Sequence, residues 1–138
     1  MIEDENGIPY ITRSKFNNGL KCRVERKEKL ELNPSNTISF GAENANFFYQ
    51  SEEYITGNKM YYISTINLSK YAILFIKTVL ESTFSNNFSY SNGMIPERIK
   101  DEYITLPVDI HGNPKFNFME SYMKNIEFKQ KEKLKYLL

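Results

Sequence analysis

The residues with the clearest chemical potential lie in the stretch PYITRSKFNNGL, residues 9–20. Its apolar start is typical of a strand, which then runs into two cations and two carboxamides, Arg13, Lys15, Asn17 and Asn18. An arginine can bind guanine through two hydrogen bonds, and an asparagine can bind adenine in the same way. The stretch therefore favours either a surface that reads DNA or an ordinary exposed hairpin whose asparagines form the turn.

Positive charge is concentrated in residues 12–30. This segment holds seven Lys and Arg residues against two acids, a local net charge of +5 in a chain of net charge +1. A basic surface on a nearly neutral chain is typical of a phosphate-binding face, although a run of charges is more often a solvated loop. From this segment, the turn at 57–58 and the loop 85–93, we expect the nucleic-acid-binding residues to be Arg13, Lys15, Asn17, Asn18, Lys21, Arg23, Lys59 and Asn92. Arg98 is equally suited to hold a phosphate or to pair with a neighbouring acid.

The sequence offers little for catalysis. The single histidine, His111, stands in a Gly-Asn-Pro turn and is expected to be a surface residue rather than a base. Cys22 lies in a basic stretch, which could lower its pKa, but no histidine is near it in the sequence. Residues 25–27 match a nuclease-like carboxylate pattern only weakly. Zinc-binding spacings and glycine-rich phosphate loops are missing, so we expect no enzyme activity, no catalytic residues, no metal and no cofactor.

Length and composition predict one folded domain. A chain of 138 residues can bury a core without disulfides, and an aromatic content of 14% argues against disorder. The single cysteine excludes an internal disulfide and favours a reducing, cytoplasmic setting. The acidic N-terminus does not resemble a signal peptide, and the longest apolar run is too short for a membrane span.

The hydrophobic pattern predicts strands first and helices later. We expect a turn at residues 4–7 and strands at 8–12, 37–40, 45–50 and 59–66, with an exposed edge or loop at 20–29. The strands at 37–40 and 45–50 should form a hairpin. A helix capped by Asn67 or Ser69 should run to about residue 83, a short helix should span 96–100, and 103–108 should be extended. A final helix should begin at Phe116. This order predicts an α/β fold: a mixed, largely antiparallel sheet covered by a central helix, with a C-terminal helix. The Tyr and Phe residues of the strands are expected in the core rather than on a base-stacking surface.

Several blocks of the sequence follow one another in an order found in a known family. They are GIPYITRSKFNNGL, TISFGAENANFFYQ, YITGNKMYYI, KYAILFIKTVLE and the most specific one, ITLPVDIHGNPKFNFMESYMKNI. Over roughly residues 7–128 the chain resembles the target-recognition domain of restriction–modification DNA specificity subunits, of type I and of the related types IIB and IIG. The resemblance implies a non-catalytic module that binds double-stranded DNA. Residues 1–115 would form the recognition domain and read one half of a split site. Residues 116–138 would begin a spacer helix that docks the methyltransferase subunit.

Two departures from the family pattern shape the expected function. The family domain has a further strand and helix before IPYITR, and specificity subunits carry a second domain and a second spacer helix. The chain therefore resembles an N-terminally truncated or lone half. A dimer or a second specificity chain, joined through residues 116–138, could restore two half-sites, and the restriction subunit is a further possible partner. The alternative is a truncated fragment that serves as an assembly module through its C-terminal helix. A small nuclease is disfavoured by the missing catalytic residues.

Overall fold

The computed structural model describes residues 1–42, 46–85 and 93–137. Within these ranges the strands are β1 Glu3–Ile11, β2 Leu20–Val24, β3 Thr37–Gly41, β4 Phe47–Gln50, β5 Ile55–Thr56 and β6 Met60–Ile63. The helices are α1 Lys70–Phe84, α2 Pro96–Ile99 and α3 Phe116–Leu137, and a single 3-10 turn spans Asn17–Gly19. The mixed α/β class predicted from the sequence is confirmed.

The strands form two three-stranded sheets rather than one. Their orders are β2-β1-β5 and β4-β3-β6. Every pair is antiparallel except β1 with β5, which is parallel. The expected hairpin of β3 and β4 is present, with Phe40 opposite Phe47. The segment predicted as an exposed edge or loop contains β2, a strand at the edge of its sheet. The single predicted sheet was wrong because long-range pairing decides which strands join, and local pattern does not reveal it.

Strand β1 begins at Glu3, five residues before the predicted start. The turn expected from the acidic and glycine residues is instead an irregularity inside the strand, where Glu3 and Ile8 both pair with Val24. A Cβ added at Gly7 would lie 1.9 Å from the Val24 carbonyl oxygen. Only glycine allows this close approach of two backbones, as is usual where a strand bulges.

The larger core lies between the β4-β3-β6 sheet and α1. The Ser69 side chain caps α1 by accepting a hydrogen bond of 3.2 Å from the Ala72 amide, as one of the two predicted caps required. Seven buried residues make this core: Ile38, Phe40, Phe47, Ile73, Leu80, Phe84 and Met94. The expectation of a Phe- and Tyr-rich core therefore holds for these strands, although Tyr62 is 44% exposed. A smaller cluster of Ile8, Val24 and Ile55 lies in the other sheet.

Helix α3 packs on α1 through its first half. The rings of Phe75 and Tyr122 meet edge to face at 5.7 Å, and Met119 is fully buried. Beyond residue 128 the side chains of α3 are largely exposed. The segment 103–108 does not join a sheet and makes one isolated bridge, between Val108 and Pro114. None of the helices in the described ranges is long and apolar enough to cross a membrane.

Candidate nucleic-acid interface

The β1–β2 loop, residues 12–19, is a closed turn. The Thr12 amide donates to the Gly19 carbonyl at 2.9 Å, and the Gly19 amide donates to the Phe16 carbonyl at the same distance. Asn17 and Asn18 are both left-handed, with φ of 50° and 56°, a conformation that asparagine tolerates better than most residues. The predicted Asn-Asn-Gly turn is therefore confirmed, and it stands directly before β2.

Asn18 fastens this loop to β4. Its Nδ2 donates to the Tyr49 carbonyl at 3.0 Å, and the Gln50 Nε2 donates to the Asn18 carbonyl at 3.1 Å. Because its amide nitrogen already donates to the Tyr49 carbonyl, Asn18 is better placed to hold the loop than to donate to an adenine. Sequence reasoning missed Gln50, although a polar residue that ends the aromatic run FFYQ was a usable signal.

Lys15 and Asn17 present their polar groups to solvent from the same loop. Both residues are exposed. The Lys15 ammonium lies 5.4 Å from the ring centre of Phe16, which is itself 69% exposed. Among the described residues no carboxylate pairs with Lys15, and no hydrogen bond occupies the Asn17 side chain. The loop therefore carries one cation and one carboxamide that can meet a ligand without breaking a protein contact.

Lys21 stands beside the loop, on β2. Its side chain is exposed, and its ammonium lies 5.8 Å from the centre of the Tyr10 ring. In the part of the chain that the structure describes, no acid forms an ion pair with it. Lys21 is thus suited to the phosphate-binding role expected for it.

The Arg23 side chain, predicted to contact DNA, makes hydrogen bonds within the protein. Its guanidinium binds the Glu52 carboxylate through two hydrogen bonds, of 3.1 and 2.6 Å, and donates to the Gly7 carbonyl at 3.0 Å. The hydrogen bonds to Glu52 raise the pKa of Arg23 and lower that of the Glu52 carboxyl. Arg23 therefore joins β2 to the β1 bulge and to the chain after β4.

The positive charge of residues 12–30 is smaller in the fold than in the sequence. Besides the Arg23–Glu52 pair, Arg26 binds Glu53 at 2.8 Å. Both glutamates lie outside the basic segment, and two of its seven cations are paired with them. The exposed lysines of the segment then fall into two places, Lys15 and Lys21 at the loop and the start of β2, and Lys27 and Lys29 after β2, where Glu25 lies 4.0 Å from Lys27.

A second group of cations meets at the end of β3. The side chain of Arg13 lies against Gly41, where an added Cβ would stand 2.8 Å from the Arg13 Cγ. The Ala42 amide donates to the Lys59 carbonyl at 3.1 Å, so the turn before β6 is adjacent. Lys59 is exposed and left-handed, with φ of 57°. The fold thus brings Arg13 and Lys59 close to the same end of β3, although they are 46 positions apart in the sequence.

The chain that returns from the second predicted loop reaches the same place. The Met94 amide donates to the Ala42 carbonyl at 2.7 Å, and an Arg98 Nη1 donates to the Gly93 carbonyl at 3.4 Å. Asn92, expected in this interface, lies outside the described residues. The end of β3 therefore gathers Arg13, Lys59 and Arg98, three cations from distant parts of the sequence.

Comparison with known proteins identifies the family of this chain. Residues 2–136 match the family described as the type I restriction modification DNA specificity domain. The chain belongs to this family. The specificity subunit S.BcgI of a type II restriction enzyme from Heyndrickxia coagulans is 33% identical over 125 residues, which are 89% of this chain and 36% of that protein. The chain thus spans about a third of the length of this relative. No solved structure gives a significant match.

A specificity domain implies recognition of a DNA target within a restriction–modification system. The family assignment confirms the resemblance found in the sequence blocks. It covers the loop, β2 and the end of β3 alike, so both groups of cations belong to the matched region. It does not say which side chains touch DNA.

The two residues of the specificity domain that the sequence offered for catalysis, His111 and Cys22, lie in a surface turn and beside an apolar cluster. His111 is exposed in a turn where the Asp109 Oδ1 accepts hydrogen bonds from the amides of His111, at 2.8 Å, and Asn113, at 3.0 Å. Cys22 is partly buried against the smaller apolar cluster. Within the described ranges no group of three or more His, Cys, Asp or Glu side chains could hold a metal ion.

Proposed function

We propose that this specificity domain binds double-stranded DNA and reads one half of a split target, without catalysis of its own. The proposal divides the chain as the sequence suggested, with residues 1–115 as the recognition domain and 116–138 as an assembly helix. Its chief support is that Lys15, Asn17 and Lys21 are exposed, that no described acid pairs with the two lysines and that no described hydrogen bond occupies the Asn17 side chain. They lie on and beside a loop whose backbone is fixed to the sheet.

The lysines and the carboxamide of this surface have separate tasks in DNA recognition. Lysine side chains bind phosphates as flexible point charges and position the duplex, whereas a carboxamide can distinguish base edges in the major groove. Lys21 and Lys59 would bind backbone phosphates, and Asn17 would face a base. Arg13 and Arg98, at the end of β3, would contact a second stretch of the DNA backbone.

Selection from a random duplex library tests the proposal. We expect enrichment of a short motif, and an affinity for the enriched duplex that falls steeply with salt. Asn17→Ala should weaken binding to the enriched duplex by about 1–3 kcal/mol, through loss of the preference at the base pair that Asn17 contacts. Lys133→Ala, an exposed change far along α3, is the control. A selected pool no different from the starting pool, with binding that salt does not affect, would exclude DNA reading.

A direct assay tests the absence of catalysis. The full chain is incubated with supercoiled plasmid DNA and magnesium, and the DNA is examined for nicks and breaks. We expect the plasmid to stay intact. Cleavage that persists through purification and is lost on substitution of an acid of this chain would overturn the non-catalytic assignment.

Assembly through α3 is the second candidate function. The exposed apolar side chains of α3, among them Tyr122, Ile126 and Leu134, favour it, since each is at least 37% exposed. A second copy of the chain, another specificity chain or the methyltransferase subunit would cover them, and the restriction subunit would join through that complex in the cytoplasm. Apolar residues spaced along one helix are the usual basis of such pairing.

Sedimentation at several protein concentrations tests this assembly. If a second copy covers α3, Leu134→Lys should shift the chain toward monomer, whereas Asn125→Lys should not, because it adds the same charge at an exposed polar position. If the parent chain is a monomer at all concentrations, self-assembly is excluded. Co-purification with the methyltransferase subunit, compared between the same two variants, then tests the remaining partner.

A further inference from the structure

Gln50 is a buried polar residue whose hydrogen bonds lead to the β1–β2 loop. It ends β4, is 5% exposed and lies opposite Thr37 of β3. Its Nε2 donates to the Asn18 carbonyl at 3.1 Å and to the Ser39 Oγ at 3.0 Å. Its Oε1 accepts from the Asn18 Nδ2 at 3.5 Å. One amide therefore joins the interior of the β4-β3-β6 sheet to the tip of the loop.

Burial of the Gln50 amide lowers the stability of the fold unless hydrogen bonds compensate for the lost contacts with water. An apolar side chain of the same size would need no such partners, so the partners that Gln50 binds indicate its role. The partners of Gln50 lie 11 and 32 positions away in the sequence. The loop has no buried apolar side chain among residues 12–18, so its apolar anchoring is weak. Hydrogen bonds from β4, together with the packing of Gly19 beside the Phe48 ring, fix its position.

We propose that Gln50 is a positioning residue for DNA recognition, an inference that rests on the proposed function. It holds Asn18 so that Lys15 and Asn17 keep a fixed position relative to β2 and the second group of cations. Reading of base edges requires side chains placed to about 0.5 Å, whereas attraction to phosphates tolerates larger displacements. Loss of the Gln50 amide should therefore reduce discrimination between sequences far more than it reduces overall affinity.

A purely structural role for Gln50 predicts a different result, and Thr37 provides the matched control. Thr37 is 3% exposed and stands opposite Gln50. Its hydroxyl donates to the Pro34 carbonyl at 2.9 Å and forms a hydrogen bond of 3.0 Å with the Tyr54 hydroxyl. Thr37→Val removes buried hydrogen bonds from the same strand pair without touching the loop. Gln50→Met and Thr37→Val should both lower the melting temperature, so stability by itself does not separate the two roles.

The decisive measurement compares two duplexes at one salt concentration. They are the duplex enriched by the unaltered protein from a random library and a scrambled duplex of the same composition. We expect Gln50→Met to lower the ratio of the two affinities about tenfold or more, with the scrambled affinity and its salt slope nearly unchanged. Thr37→Val should keep the ratio. An unchanged ratio in Gln50→Met, or an equal loss in Thr37→Val, would overturn the proposal.

Hydrogen exchange separates the failure of this inference from the failure of the proposed function. In Gln50→Met the amides of Thr12 and Gly19 should exchange faster, and in Thr37→Val they should not. If the unaltered protein enriches no motif, DNA reading fails, and the exchange result still decides whether Gln50 holds the loop. Equal protection in all three proteins would refute it.

A second variant keeps the test valid if Gln50→Met does not fold. Asn18→Gly removes the Nδ2 that donates to the Tyr49 carbonyl and the Gln50 Oε1, at an exposed position whose φ of 56° suits glycine, and keeps the carbonyl that accepts from Gln50. It should reduce discrimination at several neighbouring base pairs, because the loop loses its side-chain hydrogen bonds to β4. A loss confined to one base pair would instead show that Asn18 touches a base and that positioning is not its task.

Discussion

Replacement of Arg23 by alanine should cost stability rather than DNA affinity. The sequence placed Arg23 with Lys21 among the DNA-facing residues, but the structure commits its guanidinium to Glu52 and to the Gly7 carbonyl. A side chain held by three hydrogen bonds would have to abandon them to reach a phosphate. We therefore expect the two neighbouring cations of β2 to respond in opposite ways to truncation.

The magnitude follows from the exposure of the pair. The Arg23 side chain is 33% exposed and that of Glu52 is 53% exposed, so water screens much of their attraction, and exposed pairs typically contribute about 0.2–1 kcal/mol. The hydrogen bond to the Gly7 carbonyl adds about 0.5–1.5 kcal/mol. Together they give about 0.7–2.5 kcal/mol for Arg23→Ala, a decrease in melting temperature of roughly 2–10 °C for a chain of this size.

Lys21→Ala should behave as the reverse case. No described acid pairs with Lys21, so its truncation should leave the free energy of unfolding almost unchanged. If Lys21 binds one phosphate, its truncation should reduce the steepness of the dependence of log affinity on log salt concentration by about 0.9. The affinity at 0.1 M salt should then fall by roughly fivefold to tenfold. Fluorescence anisotropy with a labelled duplex at several salt concentrations measures the slope, and urea unfolding measures the stability.

One outcome would refute this reasoning. If Arg23→Ala reduces the salt slope as much as Lys21→Ala and leaves the unfolding midpoint unchanged, the guanidinium leaves Glu52 to bind DNA. Glu52→Gln is the control, because it weakens the pair of hydrogen bonds with Arg23 and keeps both Lys21 and Arg23. It should lower stability without reducing the salt slope.

Two further predictions concern the scaffold. Gly7→Ala should destabilise the fold by about 1–3 kcal/mol, because the new Cβ would meet the Val24 carbonyl. Gly112→Ala should destabilise it by about 1 kcal/mol, because the φ of +82° is unfavourable for alanine although no atom lies within 4 Å. Urea unfolding of the two variants measures the difference. The pKa of the Glu52 carboxyl is lowered from 4.5 by its hydrogen bonds to Arg23, so the stability it contributes is present above pH 4.5 and is lost as the pH falls through the lower folded-state pKa. Thermal unfolding from pH 3 to 7 should therefore show a shallower acid limb in Glu52→Gln, and an unchanged limb would contradict the role assigned to the pair.

Local pattern predicted the elements that depend on neighbours in the sequence. The β3–β4 hairpin, the cap and length of α1 and the Asn-Asn-Gly turn each follow from a few adjacent residues, and each is present. The first half of β1 was missed because Asp4 to Gly7 resembles a turn. Only the close approach of Val24 explains why those residues continue a strand.

The candidate site was predictable in composition but not in arrangement. Residue types indicated a basic, carboxamide-bearing loop, and the fold places that loop on the surface. The partner of Arg23 stands 29 positions away, and the partners of Asn18 stand 31 and 32 positions away. Ion pairs and hydrogen bonds over such separations depend on how the two sheets meet, which the pattern of single residues does not specify.

The site therefore divides into side chains that hold and side chains that are free to read. Asn18, Arg23 and Gln50 each bind the backbone of a different element, so their replacement should disturb the shape of the surface. Lys15 and Asn17 bind no described carboxylate or carbonyl through their side chains, so the fold restricts their identity only through the left-handed backbone of Asn17, which favours Asn or Gly. A change of target sequence should then be reached through these two positions at little cost in stability. The same change sought through the first three would have to rebuild the contacts that keep the loop on β4 and hold β2 to the β1 bulge.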